Sequence, residues 1–192
     1  MESKKKAVTI VGIMSVVVAL LLIQLGVIRT VEKHRVGTLL VASPAARGAR
    51  DWTKVNDSET ELSFALSTEN GTFVIRESIV ARHQKDVGGI PGEDASKHLS
   101  QGKAKVAAVV GFMLERFLQE GFEVGQTSSF VEIAGASAYR FELIKRKVPT
   151  EYMTHILIWK EDWYVITYAS NTASPGPHIS DFNALLDELE FT

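Results

Sequence analysis

Histidines are the side chains of this sequence best suited to ligate a metal or to carry a proton. The chain has five of them: His34, His83, His98, His155 and His178. None lies in an H-E-x-x-H pattern or in another spacing typical of zinc sites. The spacing of the histidines alone therefore predicts no metal site.

Two of these histidines are candidates for acting together with a nearby acidic residue. Asp94 and His98 are four residues apart at the start of a predicted helix, so both could face one ligand. Because no third ligand accompanies them, a helix cap and a surface histidine are the favoured interpretation. His83 and Asp86 are interpreted in the same way, as polar residues of a loop.

Sequence patterns of nucleophilic and nucleotide-binding enzymes are missing as well. The chain contains no G-x-S-x-G elbow, no Walker A loop and no dinucleotide-binding fingerprint. The loop glycines Gly88, Gly89 and Gly92 lack the preceding strand and the following Lys or Thr of a phosphate cradle. Glu161 and Asp162 fall in a water-exposed hairpin turn, where acid catalysis is not favoured. We therefore expect no catalytic residue, no metal and no cofactor, and a protein that is not an enzyme.

Composition excludes further classes. The sequence has no cysteine, which rules out disulfides, thiolate chemistry, cysteine-ligated zinc and a lipid-modified cysteine anchor. The formal net charge is -2 at pH 7, so bulk electrostatics does not favour nucleic acid as a partner.

Two clusters are candidates for an interface with another protein or with lipid. Trp159 and Trp163 flank a predicted hairpin turn, where they either form a cross-strand pair, worth roughly 0.2–1 kcal/mol, or present an exposed aromatic anchor to a partner. The basic run Lys145, Arg146 and Lys147 lies at a strand end. It is interpreted as a solvated turn, with contact to anionic lipid or an acidic partner as the alternative.

An apolar segment, residues 7–28, precedes the rest of the chain and has no charged side chain. As a helix it would span about 33 Å, enough for a hydrocarbon core of about 30 Å. We predict a transmembrane helix here, with the lipid bilayer as a partner. Its anchor residues are Val11, Val17, Leu20, Leu21, Leu22 and Ile23, and Gly12 and Gln24 are candidates for contact with another membrane helix.

Two alternatives to an uncleaved signal anchor remain open. A secretory signal fits the basic residues 4–6, but its apolar region is usually about 7–15 residues long, and the small-residue cleavage sites at 41–46 lie well beyond the apolar run. A buried core helix is the other alternative. The basic start favours a cytoplasmic N-terminus and an extracytoplasmic, periplasmic C-terminal domain at the inner membrane, although basic residues at 29–35 oppose this orientation.

The remaining sequence predicts two strands, a long helix, four strands and a last helix. Alternating apolar residues mark the strands, and glycine-rich or charged turns separate them. The marker residues are Leu62, Phe64 and Leu66, then 72–80, then Val131 and Ile133, then Tyr139, Phe141 and Leu143, then Ile156 and Ile158, then Tyr164, Ile166 and Tyr168. The helices are marked by Val106, Val110, Met113 and Phe117, widened by Val109, Phe112 and Leu114, and by Ile179, Phe182, Leu185, Leu186 and Leu189.

This order predicts an α+β fold, an antiparallel β-sheet flanked by helices, preceded by one transmembrane helix. We expect a basic cytoplasmic head at 1–6, the transmembrane helix at 7–28, a juxtamembrane segment and linker at 29–51, and an extracytoplasmic α+β domain at 52–192.

The segments "IAGASAYRFEL", "DWYVITYAS" and "DFNALLDELEF", with the earlier "RESIV" strand, resemble the PsbP-like and DcrB-like families over residues 52–192. The resemblance implies an α/β/α sandwich and a non-enzymatic role. Members of these families are extrinsic subunits of photosynthetic complexes, bacterial envelope proteins, or chaperones that bind partner helices.

We therefore expect a non-catalytic, single-span accessory subunit of a larger membrane complex, with photosynthetic and respiratory complexes as examples. Its partners would be other membrane-protein subunits, and a shared membrane would let a weak domain interface suffice. A stand-alone membrane-anchored binding module or chaperone of the cell envelope is the alternative, and its mark would be an apolar groove beside the sheet.

Overall fold

The computed structural model describes residues 32–44, 52–84 and 102–192. Ten strands and two helices follow one another in these ranges. They are β1 (Lys33–Val36), β2 (Leu39–Ala42), β3 (Thr53–Asp57), β4 (Glu61–Asn70), β5 (Phe73–Gln84), α1 (Gly102–Gln119), β6 (Glu123–Ile133), β7 (Ala136–Lys145), β8 (Glu151–Lys160), β9 (Asp162–Ser170), α2 (Ile179–Leu186) and β10 (Glu190–Phe191). A mostly antiparallel sheet with two helices confirms the predicted α+β class.

The predicted membrane anchor lies outside this description. Within 32–44, 52–84 and 102–192, no helix is both long enough and apolar enough to cross a membrane. The apolar segment 7–28, with its anchor residues and with Gly12 and Gln24, is not among the described residues. The same holds for Asp94 and His98.

Seven strands form the main sheet, in the order β3-β4-β5-β9-β8-β7-β6. Neighbours in the chain pair as antiparallel hairpins, as the short turns predict. The pairing of β5 with β9 joins the two halves of the chain and places Ile79 opposite Tyr168. This pairing is non-local and was not predicted.

The two faces of the sheet carry separate cores, because successive side chains of a strand point to opposite faces. β8 shows this clearly, with Ile156 and Ile158 in one core and Met153 and Leu157 in the other. Residues 152–158 are all buried, as expected for a strand covered on both sides.

The first core lies between the sheet and α2, whose Phe182, Leu185 and Leu186 are buried there as predicted. The second lies under α1, where Val106, Val109 and Val110 are buried and Met113, Leu114 and Phe117 are partly buried. The helix ends before Gly121, whose φ of +86° suits glycine at a helix C-terminus. The sheet is thus flanked by one helix on each face.

The folded domain begins before residue 52, which differs from the predicted boundary. β1 and β2 form a hairpin, and β2 also pairs with β10 at the other end of the chain. Val36, Leu39 and Val41 are fully buried in the same core as α2. The predicted linker 29–51 therefore contains a hairpin of the domain, because a run this short hides its burial until its partner β10 is in place.

Candidate binding groove

A groove opens between α1 and the sheet, where the helix no longer covers the strands. α1 contacts β6, β7 and β8, while β9 and β5 continue the sheet beyond β8. We call this opening the helix–sheet groove, and its volume is about 250 Å³. It is lined by Arg82, Gln84, Phe112, Met113, Arg116, Phe117, Glu120, His155, Val165 and Thr167.

The walls of the groove are mixed, with apolar side chains beside charged and polar ones. Phe112, Met113 and Phe117 come from α1, and Val165 comes from β9. The sequence placed Phe112 in the packed stripe of the helix, but its side chain is 43% exposed. Phe112 lines the groove and is not part of the second core.

The one histidine in the groove is buried and only half satisfied. His155 is 6% exposed, and its Nδ1 lies 2.8 Å from the Oγ1 of Thr167. Its Nε2 has no hydrogen-bond partner among the described residues. The imidazole ring lies between two aromatic rings, with centroid distances of 5.2 Å to Phe117 and 5.1 Å to Phe141.

Burial makes His155 a neutral histidine. Loss of solvation, reinforced by the positive charge of Arg82, lowers the pKa of His155 to about 4. At neutral pH the ring therefore has one N–H and one lone pair. From the sequence, His155 could be considered only as one of five histidines, with no role of its own. Its position directly before the apolar run Ile156–Ile158, on the same strand, was the signal that it is buried.

Two arginines flank the opening and are held by carboxylates. The Nε of Arg82 lies 2.7 Å from a carboxylate oxygen of Glu61, and the Nε of Arg116 lies 3.3 Å from Glu120. Each guanidinium carries five N–H donors. Each arginine therefore keeps further donors for a group entering the groove.

A second polar cluster lies on the opposite face of the sheet, at the segment that leads into α2. Glu77 has a fully buried side chain that accepts hydrogen bonds from the hydroxyl of Tyr168 and, at 3.0 Å, from the backbone N–H of His178. The Nδ1 of His178 lies 2.6 Å from the other carboxylate oxygen. Burial, with the bond to Glu77, raises the pKa of Tyr168.

This cluster is a structural tie rather than a site. Both carboxylate oxygens of Glu77 are occupied by groups of the chain itself, and a buried pair of this kind joins the strand to the segment that carries His178. No local pattern in the sequence predicts this cluster. A glutamate at an inward position of β5, two residues before Ile79, was the available signal.

A wider cleft, about 880 Å³, lies near β1 and contains the remaining two described histidines. The Nδ1 of His34 lies 3.2 Å from Asp57, and the Nε2 of His83 lies 2.9 Å from Asp162. His83 was predicted in a loop, but it belongs to β5 and stacks on Tyr164. In the described ranges, no group of three His, Cys, Asp or Glu residues could hold a metal ion.

The two tryptophans form the predicted cross-strand pair. Trp159 and Trp163 are partners in the register of β8 and β9, and their ring centroids are 4.7 Å apart. Trp163 is 1% exposed, so the alternative of an exposed aromatic anchor is wrong for this residue. Trp159 is partly buried. Neither residue lines the groove.

The three residues of the basic run, Lys145, Arg146 and Lys147, have different surroundings. The ammonium of Lys145 lies 5.2 Å from the ring centroid of Phe122, and the Nε of Arg146 lies 3.1 Å from Glu123. Lys147 is exposed beyond the end of β7. The three residues do not line the groove, and contact with lipid or an acidic partner stays a prediction.

Comparisons with known proteins leave the identity of the chain open. No protein-family model and no curated protein sequence matches it. Several solved structures are similar in part, and three of them are described here. A Pseudomonas aeruginosa protein of unknown function, PA94, aligns with a TM-score of 0.48 and 16% identity over 82% of this chain and 94% of its own.

The other two are a Bacteroides thetaiotaomicron protein and LpqN. The Bacteroides protein aligns with a TM-score of 0.42 and 12% identity over 86% of this chain and 49% of its own. LpqN from Mycobacterium tuberculosis, described as involved in cell envelope biogenesis, aligns with a TM-score of 0.36 and 11% identity over 75% of this chain and 80% of its own. At TM-scores below 0.5, none of these likenesses contributes to the argument on function.

Proposed function

We propose that this chain is a non-catalytic, membrane-anchored binding module of the cell envelope that receives its ligand in the helix–sheet groove. The predicted helix 7–28 would hold it in the inner membrane with the domain on the periplasmic side. A PsbP-like α/β/α sandwich is the finer description of the fold that we propose with it.

The observation that carries this proposal is the groove itself. An opening of about 250 Å³, lined partly by apolar side chains and containing a buried, half-satisfied His155, is the type of concave site that binds small ligands. Apolar surface left open to water is unfavourable, at roughly 25 cal/mol per Å². Occupation of the groove would recover part of this free energy.

Native mass spectrometry of the full-length chain, released from its own membranes, tests the proposal. Phe112→Arg places a charge in the groove, while Leu118→Arg places the same charge at another exposed position of α1, 52% exposed in the native chain. We expect the native chain and Leu118→Arg to retain a bound molecule that Phe112→Arg loses. If the native chain carries nothing that Phe112→Arg removes, the groove is not the binding site.

A second candidate is an accessory subunit of a larger membrane complex. It is favoured by the exposed apolar side chains of β6, an edge strand of the sheet: Val124 is 41% exposed and Phe130 is 42% exposed. Exposed apolar groups on an unpaired strand edge are typical of surfaces that other proteins cover.

Mild extraction of native membranes, followed by a native gel and intact-mass measurement, separates the two candidates. A full-length mass within a large assembly, lost when Val124 and Phe130 are both changed to Lys, would support the subunit. A full-length chain that migrates alone with a small bound molecule would support the binding module. A shorter mass that lacks the segment 7–28, found in the soluble fraction, would reject the membrane anchor in both.

A further inference from the structure

We infer that the helix–sheet groove binds a small monocarboxylate with an apolar body, whose carboxylate accepts a hydrogen bond from the Nε2–H of His155 beside the guanidinium of Arg82. This inference rests on the proposed function, because it names the ligand class of the same groove.

The Nε2 atom of His155 gives the first reason for this inference. His155 is 6% exposed and lines the groove, and its Nε2 has no partner within the described parts of the chain. A buried polar group without a hydrogen bond costs roughly 1–3 kcal/mol. Nε2 is itself buried, so a ligand group reaches it only when the side chains between it and the groove move aside, and the hydrogen bond formed there would remove this cost.

The position of the hydrogen on the His155 ring decides which type of ligand atom can bind it. The hydroxyl of Thr167, 2.8 Å from Nδ1, can donate to that nitrogen. We assign the ring hydrogen to Nε2, because a ligand acceptor bound there can also contact the guanidinium of Arg82, and this tautomer requires an acceptor from the ligand. Burial keeps the ring neutral, since the pKa of His155 is lowered to about 4.

The arginines at the opening of the groove favour an anionic ligand. Arg82 and Arg116 line the groove with Glu120 as the only acidic residue among the lining side chains. The charge of Arg82 reaches His155, because it helps to lower the pKa of that histidine. An anionic acceptor near Arg82 gains a charge-assisted hydrogen bond from the guanidinium donors that Glu61 leaves free, whereas an ammonium offers no acceptor to Arg82 or to the Nε2–H of His155. Together with the acceptor requirement, this favours a carboxylate.

The size of the groove and its apolar lining limit the body of the ligand. Phe112, Met113, Phe117 and Val165 supply the apolar part of the walls, and Phe117 is in ring contact with His155. The volume of about 250 Å³ is below the range of about 300–1,000 Å³ found for drug-sized ligands. A short acyl chain or a single aromatic ring would fit this space.

The test uses the full-length chain in lipid nanodiscs, with ¹³C-labelled methionine methyl groups observed by NMR. The sequence has four methionines. Met113 lines the groove, and the buried Met153 does not, so it serves as the internal reference. The probes are hexanoate, hexanol and hexylamine, with empty nanodiscs as the control for binding to lipid.

We expect hexanoate to shift the Met113 signal in a saturable way and to leave Met153 unchanged. Hexanol should bind at least about tenfold more weakly, and hexylamine more weakly still, because a lost charge-assisted bond of about 1.4 kcal/mol is a factor of ten. His155→Asn keeps a polar atom near Thr167 but removes Nε2, and it should weaken hexanoate binding by a similar factor.

Arg82→Gln is the second variant, because Arg82 is exposed and its loss should leave the fold intact. Its matched control is Arg76→Gln, an exposed arginine on the same face of β5, six residues away. Arg82→Gln should weaken hexanoate binding while Arg76→Gln should not.

Equal binding of hexanol and hexanoate, or equal effects of Arg82→Gln and Arg76→Gln, would overturn the carboxylate inference and leave an apolar groove that still fits the proposed function. If no probe shifts Met113, the inference is also overturned. The proposed function fails as well only if native mass spectrometry finds no bound molecule that the native chain retains and the Phe112→Arg chain loses.

Discussion

His155 should make the domain less stable in acid. In the folded chain its pKa is lowered to about 4 by burial, against 6.5 for the exposed side chain. Below pH 6.5 the unfolded chain therefore binds a proton that the folded chain does not, and stability falls as the pH falls. The loss grows between pH 6.5 and pH 4 and is complete below pH 4.

The magnitude follows from the two pKa values. A shift of one pKa unit is worth about 1.36 kcal/mol, so the full effect is about 3 kcal/mol. Between pH 7 and pH 5 the linkage relation gives a loss of about 2 kcal/mol in the free energy of unfolding. This is a large part of the stability of an ordinary domain, which is about 5–15 kcal/mol.

Urea unfolding of the full-length chain in a non-ionic detergent measures this effect through tryptophan fluorescence. The three tryptophans, Trp52, Trp159 and Trp163, all lie in the described domain and report its unfolding alone. From pH 7 to pH 5, the native chain should lose about 2 kcal/mol more than His155→Asn, which cannot take up the proton. Taking the difference between the two chains cancels the other titrating groups.

Thr167→Val is the matched control for this experiment. It removes the partner of Nδ1 but keeps His155 buried, and burial is the main cause of the lowered pKa. Thr167→Val should therefore keep the acid sensitivity of the native chain. Parallel pH profiles for the native chain and His155→Asn would refute the reasoning, since His155 would then have the same proton affinity in both states.

Three further substitutions test the packing that holds the groove in place, each measured by urea unfolding at pH 7. Glu77→Ala removes a fully buried carboxylate and leaves His178 without its partner, so a loss of about 3–5 kcal/mol is expected; the exposed Glu69→Ala should change stability by less than about 0.5 kcal/mol. Gly176→Ala should also destabilise the fold, because its Cβ would lie 2.5 Å from a carboxylate oxygen of Glu77; unchanged stability would show that this segment can move away. Phe182→Ala empties a fully buried position of α2 and should cost about 3–5 kcal/mol; a cost below 1 kcal/mol would mean that the first core can collapse around the gap.

The strands of the sheet could be predicted because their signal is local. Leu62, Phe64 and Leu66 alternate with less apolar residues along β4, and all three are buried on one face. The short turn at Glu161 likewise predicts the β8–β9 hairpin, and this residue has a positive φ of 64°. Period and turn chemistry belong to a few consecutive residues, so the sequence displays them directly.

The β1–β2 hairpin could not be placed in the domain from the sequence. Its strands have four residues each, and its burial depends on β10 and α2 at the far end of the chain. A pattern this short does not distinguish a linker from a buried strand. The same limit hid the role of Glu77, whose partners are Tyr168 and His178, about a hundred residues away in the chain.

The groove could not be predicted from local sequence patterns, for a related reason. The sequence predicts the apolar stripe of α1, but it does not predict how much of the sheet the helix covers. That is decided by the pairing of β5 with β9, which extends the sheet past the strands in contact with α1.

The sequence by itself determined the α+β class, the order of the predicted strands and helices, and the lack of any recognisable catalytic motif, because each depends on residues close together in the chain. Only the tertiary structure decided that His155, Arg82 and Phe112 meet around one opening. They come from β8, β5 and α1, and their proximity is a consequence of non-local strand pairing and of helix packing on one face of the sheet.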